Sequence, residues 1–176
     1  KSRSTPFEQA MIGWCEAVVR GDVDARMRHL RVGLSYSPHN NILLFNLASD
    51  LWDLGRSPEA VEPAREAMAS GWRFAPLYTL CAKLAIDAGQ LSGLRDTLLA
   101  AESFPAPDPH AAGLLEALAL FEADPSAARG YGAAFRSGMG EAGDRGGYAD
   151  ISRSIRTLAE FARAQRKPAT AVALLR

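Results

Sequence analysis

Apolar and polar residues alternate along this chain with a helical period almost everywhere. In NILLFNLASDLWDLG, residues Leu44, Leu47, Ala48 and Leu51 follow the i, i+3, i+4, i+7 spacing that collects one apolar stripe on a helix. No segment shows the strict two-residue alternation of a half-buried strand. The pattern predicts ten helices, at about 7–20, 23–35, 41–54, 58–70, 75–88, 91–102, 110–122, 125–137, 149–164 and 168–176. Its punctuation is regular. Gly21, Gly55 and Gly89, in VRGDVD, DLGRSP and DAGQLS, stand 34 residues apart twice over, and Ala123 in FEADPSA continues the interval. Each point follows one apolar run and precedes another. That is a helix, a tight turn with glycine at a left-handed position, and a second helix.

The copy from Asn41 to Phe74 is the clearest. Beyond its first stripe, Ser57 is placed to cap the second helix, with Pro58 at its first position and Glu59 in its first turn. Ala60, Ala64 and Ala67 then form a small-residue face, so the two helices can approach closely. This copy resembles the tetratricopeptide repeat, whose 34-residue unit pairs two antiparallel helices. Leu44, Leu47, Ala48 and Leu51 fall on that family's large, large, small, large positions, and Ala60 and Ala67 on its two small positions in the second helix. The other copies match less closely. The first, about 7–40, keeps Leu30, Gly33 and Pro38-His39-Asn40, but has Trp14 and Arg26 where the family carries small residues. The third, about 75–108, keeps Tyr78, Ala82 and Ala101, with Leu94 in place of a small residue. The fourth, about 109–137, has the period without the signature, and the fifth begins near Asp150 with Ile155, Leu158, Ala159 and Ala162. The resemblance implies a single all-α domain over 1–176, a right-handed superhelix of about five antiparallel helix pairs. FPAPDP at 104–109 is expected to be a stiff connection. SGMGEAGDRGG at 137–147 is expected to be a flexible loop inserted between the fourth and fifth pairs.

Within that insertion, GMGEAG at 138–143 matches G-x-G-x-x-G in letters. A dinucleotide fingerprint needs a strand leading into the glycine turn and a helix start receiving the pyrophosphate. Here a helical run, SAARGYGAAFR, leads in, so the glycines are read as punctuation and no cofactor is expected. Cys15 and Cys81 lie 66 residues apart without a C-x-x-C, which predicts two buried, reduced thiols and no metal. His29, His39 and His110 share no helical face with one another or with a cysteine, and His29 is expected at the surface. No serine has the neighbours of a triad, so no catalytic residue is expected. Twenty basic and twenty acidic side chains cancel, and no net field favours nucleic acid or an anionic membrane. Of the twenty basic residues 17 are arginine, which together with 32 alanines suggests a GC-rich bacterial genome. No apolar run reaches the roughly 20 residues of a membrane span, and no signal-peptide core is present. The reading is bacterial and cytoplasmic. The chain opens KSRSTP without Met and stops at VALLR inside a helical pattern, as a piece of a longer protein would.

What the resemblance implies about function is binding. In tetratricopeptide arrays the first helices line a concave groove that takes an extended or helical peptide. Projected onto this chain, that groove offers Met11, Cys15 and Val18, then Ile42, Phe45, Ser49, Trp52 and Asp53. It continues with Thr79, Lys83 and Ile86 and ends with Arg153, Arg156, Glu160 and Arg163. An apolar middle and a basic end follow, fitted to a net-acidic amphipathic peptide or helix of another protein. The competing assignments are that Phe45 and Trp52 pack against neighbouring helices and that the arginines pair internally. Trp72 and Phe74 are read as staples between repeats. The Lys/Asn carboxylate clamp of chaperone-tail receptors is not matched: its places hold Met11, Cys15, Asn46, Pro76 and Leu80, and only Asn46 agrees. Two further readings stay open, a regulatory or substrate-recruiting module of a larger enzyme or transcription regulator, and a homo-oligomerisation module.

Overall fold

The computed structural model describes the backbone of residues 4–175 and, outside 140–150, their side chains. Nine helices run through the described residues: α1 (Pro6–Arg20), α2 (Val23–Tyr36), α3 (Asn41–Asp53), α4 (Ser57–Ala69), α5 (Ala75–Asp87), α6 (Leu94–Glu102), α7 (Pro109–Phe121), α8 (Pro125–Ala164) and α9 (Pro168–Leu174). No strand occurs among them. The fold is an all-helical repeat. It divides into two compact units, residues 1–72 and 73–176.

The predicted period is visible in the backbone. Gly21, Gly55 and Gly89 have φ of 67, 73 and 71°, and Ala123 adopts φ 63° at the next 34-residue step without being glycine. Arg166 repeats the conformation with φ 59°. At each of these five points the residue after the left-handed one donates its N–H five residues back: Asp22 to Ala17, Arg56 to Leu51, Gln90 to Ala85, Asp124 to Ala119 and Lys167 to Ala162, all at 2.8–2.9 Å. This is the hydrogen-bond pattern that closes a helix on a left-handed residue and turns the chain back at once. At four of the five points the second helix of the pair starts two residues on, and after Gly89 it starts at Leu94; the two helices of each pair lie antiparallel.

In the first unit α1 begins with a reciprocal cap, Thr5 Oγ1 accepting from the Glu8 N–H at 3.2 Å and the Glu8 carboxylate from the Thr5 N–H at 2.7 Å. α1 packs on α2, α2 on α3 and α3 on α4. The alanine face of α4 is fully used, with Ala60, Ala64 and Ala67 all buried. Ser57 is not the cap that the sequence predicts. It is the first helical residue, and Arg56 precedes it, bonded through its guanidinium to Glu59 at 2.6–2.7 Å. In the first repeat Arg26 replaces the family's small residue and reaches from α2 to Asp50 on α3, with Nε donating to Oδ2 at 2.9 Å.

The second unit has a core of its own, from Ala75 to Leu174. Its α6 starts at Leu94, later than predicted, because Gly93 turns to φ 73° and delays it. The last long element is α8, from Pro125 to Ala164. The loop expected over 137–147 falls mostly on residues 140–150, outside the residues whose side chains are described. No proline lies between Pro125 and Pro168, and glycine weakens a helix by about 1 kcal/mol per residue without forbidding it. Straight, α8 would carry Phe135 and Ile151 about 24 Å apart. Yet both meet one point on α7: a Cβ added to Gly113 would lie 2.6 Å from Ile151 Cδ1 and 3.1 Å from Phe135 Cδ2. Phe135 and Ile151 therefore do not lie along one straight helix. The first part of α8 completes the pair begun by α7, and its last part opens the pair closed by α9.

Candidate functional site

The expected partner surface draws on α3, α5 and α8, and the structure sorts its members by burial. On α3, Phe45 and Ser49 are half-buried and Ile42 and Asp53 are exposed. Phe45 is held edge-on by Trp72, with ring centroids 6.2 Å apart and planes at 78°. Trp72 thus packs on α3 from beyond the end of α4, a contact within one repeat. Trp52, expected on the accessible face with Phe45, is only 4% exposed. An indole buries more apolar area than any other side chain, and this one is spent in the core.

On α5 the expectation of exposure fails for both residues. Lys83 is 7% exposed and Ile86 is 0%. The reason is that α5 is surrounded: Leu77, Thr79, Leu80, Ala82, Leu84 and Ile86 are all buried, and together they occupy nearly every side of the helix. Ile86 belongs to the core of the second unit with Leu94 and Leu98. Projection from a repeat pattern assumes one open face per first helix, and here that face is closed.

The arginine set sits on the last part of α8. Arg156, Glu160 and Arg163 are exposed and Arg153 is half-buried. Their spacing, i, i+3, i+7 and i+10, keeps all four on one side of the helix. Three guanidiniums against one carboxylate leave this face basic. Phe45 and Ser49 belong to the first unit and the arginines to the second.

Other candidate chemistry resolves into structure. Cys15 is exposed, against the expectation of burial, because it stands on the outward side of α1, whose buried positions are Ala10 and Ala17. Cys81 is half-buried, and burial pushes its thiol up to about 11, so it stays protonated and unreactive at neutral pH. His29 is half-buried, its ring lying against the bare backbone of Gly13 where a Cβ would collide with it. His39 bonds Glu66 at 2.6 Å, and His110 bonds Asp108 at 2.9 Å. Among the described residues no three His, Cys, Asp or Glu side chains gather as a metal site would require. No helix among them is long and apolar enough to cross a membrane.

One cluster was passed over in the sequence. Glu116 is a single carboxylate in the apolar run PHAAGLLEALALF, at the place where the repeat carries a small residue. Its carboxylate lies against Gly132 of α8, where a Cβ would displace it. Burial raises its pKa, and Arg136, one turn beyond Gly132, opposes that rise. The signal was there to read, since one charge inside an apolar helix needs a partner.

No family model matches the chain, and no curated protein matches it. Solved structures do. A crystal structure of MamA protein superposes with a TM-score of 0.65 at 15% identity, covering 97% of this chain and 88% of that one. A second crystal structure of MamA gives 0.61 at 16% identity, covering 92% of this chain and 89% of that one. At such identities the likeness is one of fold, and it extends over nearly the whole chain.

Proposed function

We propose that this chain is a tetratricopeptide-type scaffold that binds a peptide or helix of another protein along the inner faces of its first helices, by display of a rigid surface and without chemistry or cofactor. The observation that carries this reading is the basic face of α8, where Arg156 and Arg163 are exposed on rigid helix with Arg153 beside them. Guanidiniums pair bidentately with carboxylates, which favours a net-acidic partner. On the first unit, Phe45 and Ile42 supply an apolar contact of the kind that anchors interfaces. Trp52 drops out as an anchor: its removal would open the core, so Trp52→Ala tests folding rather than recognition.

The test is fluorescence anisotropy on a set of amphipathic helical peptides of equal hydrophobicity and acidic, neutral or basic charge. The acidic member is expected to bind tightest and to weaken as salt rises. Replacing Arg156 and Arg163 together by Glu should weaken it about tenfold, mainly through slower association. Equal affinity for all three peptides, unaffected by the double replacement, would remove the arginine face from the reading.

A further inference from the structure

Between α7, α8 and α9 of the second unit lies a cavity of about 560 Å³, inside the roughly 300–1,000 Å³ typical of small-molecule sites. Leu120, Ile155 and Leu174, one from each helix, give it apolar walls, and Glu116, Arg136 and Arg156 bring charge to it. The three charges do not act alike. Glu116 rests against Gly132 with Arg136 as the cation that counters its burial, so these two offset each other. Arg156 remains. It is exposed, and neither a hydrogen bond nor an ion pair engages it among the described residues.

A cavity with hydrocarbon walls and a guanidinium that no described residue engages is selective. A neutral hydrocarbon would leave the guanidinium unused, and an amphiphilic cation would be repelled by it. A dianion would bring a second charge toward Glu116. A single carboxylate on an aliphatic chain satisfies both parts, because the guanidinium fork matches a carboxylate and the walls replace water around the chain. We propose that this cavity binds an aliphatic monocarboxylate, with its chain along Leu120, Ile155 and Leu174 and its carboxylate on Arg156. The site shares Arg156 with the basic face proposed for the peptide, and it would add a small-molecule ligand to a protein-binding module.

Isothermal titration of the full chain with decanoate and with decanol, both below their aggregation limits, tests this. Decanoate is expected to bind at one site, with decanol about tenfold weaker. Arg156→Gln should erase that difference by lowering decanoate affinity about tenfold. Leu120→Trp, which fills the cavity from a half-buried position, should abolish binding of both while circular dichroism stays unchanged. Arg129→Gln, exposed on the same helix and outside the cavity lining, should leave binding as it was. Equal binding of decanoate and decanol, an Arg156→Gln variant that binds as the parent does, or no decanoate binding at all would each overturn the assignment. A folded Leu120→Trp protein that still binds would place the ligand elsewhere and overturn it too.

Discussion

At the residue scale the repeat leaves a signature that a substitution can read. Ala123 takes φ 63° at a position where Gly21, Gly55 and Gly89 do the same. A left-handed conformation costs an L-residue with a Cβ about 1–2 kcal/mol, while glycine pays for its freedom in the unfolded chain with roughly 0.4–1 kcal/mol. The first term is larger. Ala123→Gly should therefore raise stability by about 0.5–1 kcal/mol in urea unfolding, and Gly55→Ala should lower it by a similar amount. If both changes were neutral, the turns would not be carrying the conformation described. Asp108 offers a second reading at this scale. Burial pushes its pKa up, but hydrogen bonds from the His110 side chain and Thr79 outweigh that and hold it below the ordinary 3.8. Because the folded value lies below the unfolded one, the native state binds fewer protons across that window. The contribution is present above 3.8 and disappears as pH falls through the folded value. Asp108→Asn should cost about 1 kcal/mol at neutral pH and flatten the acid limb of a stability–pH profile. An unchanged acid limb would contradict the assignment.

At the scale of elements, what could be read from sequence depended on whether the signal was local. The turns were legible, because a left-handed residue after an apolar run closes a helix by itself. The course of α8 was legible only in outcome. Its glycines suggested a break, and the stretches on either side of 140–150 meet at Gly113. The meeting point is a tertiary fact that no local pattern records. Gly113→Ala tests it. A Cβ there would press on Ile151 and Phe135, both fully buried. The gain in helix propensity is at most about 1 kcal/mol, against roughly 1–3 kcal/mol for overpacking. A net loss of about 1–2 kcal/mol in thermal or urea unfolding is expected; a net gain would mean that the two ends of α8 do not converge on this residue. The burial of Lys83 and Ile86 was illegible for the complementary reason: helical period places a residue on a face, but the neighbours decide whether that face is open.

At the scale of the molecule, the chain consists of two compact units built from one repeated helix pair, and its candidate surfaces divide with them. The first unit offers Phe45, Ser49 and Ile42 on α3, and the second offers the arginine face of α8. The central claim is that the arginine face of α8 recognises a net-acidic amphipathic segment of another protein. Titrating the acidic amphipathic peptide into isotopically labelled protein and following backbone amide shifts tests that claim residue by residue. The account predicts perturbations that cluster on the last part of α8 from Arg153 to Arg163 and that fade as salt is added. Perturbations confined to α1 and α2, or a spectrum that the peptide leaves unchanged, would contradict it.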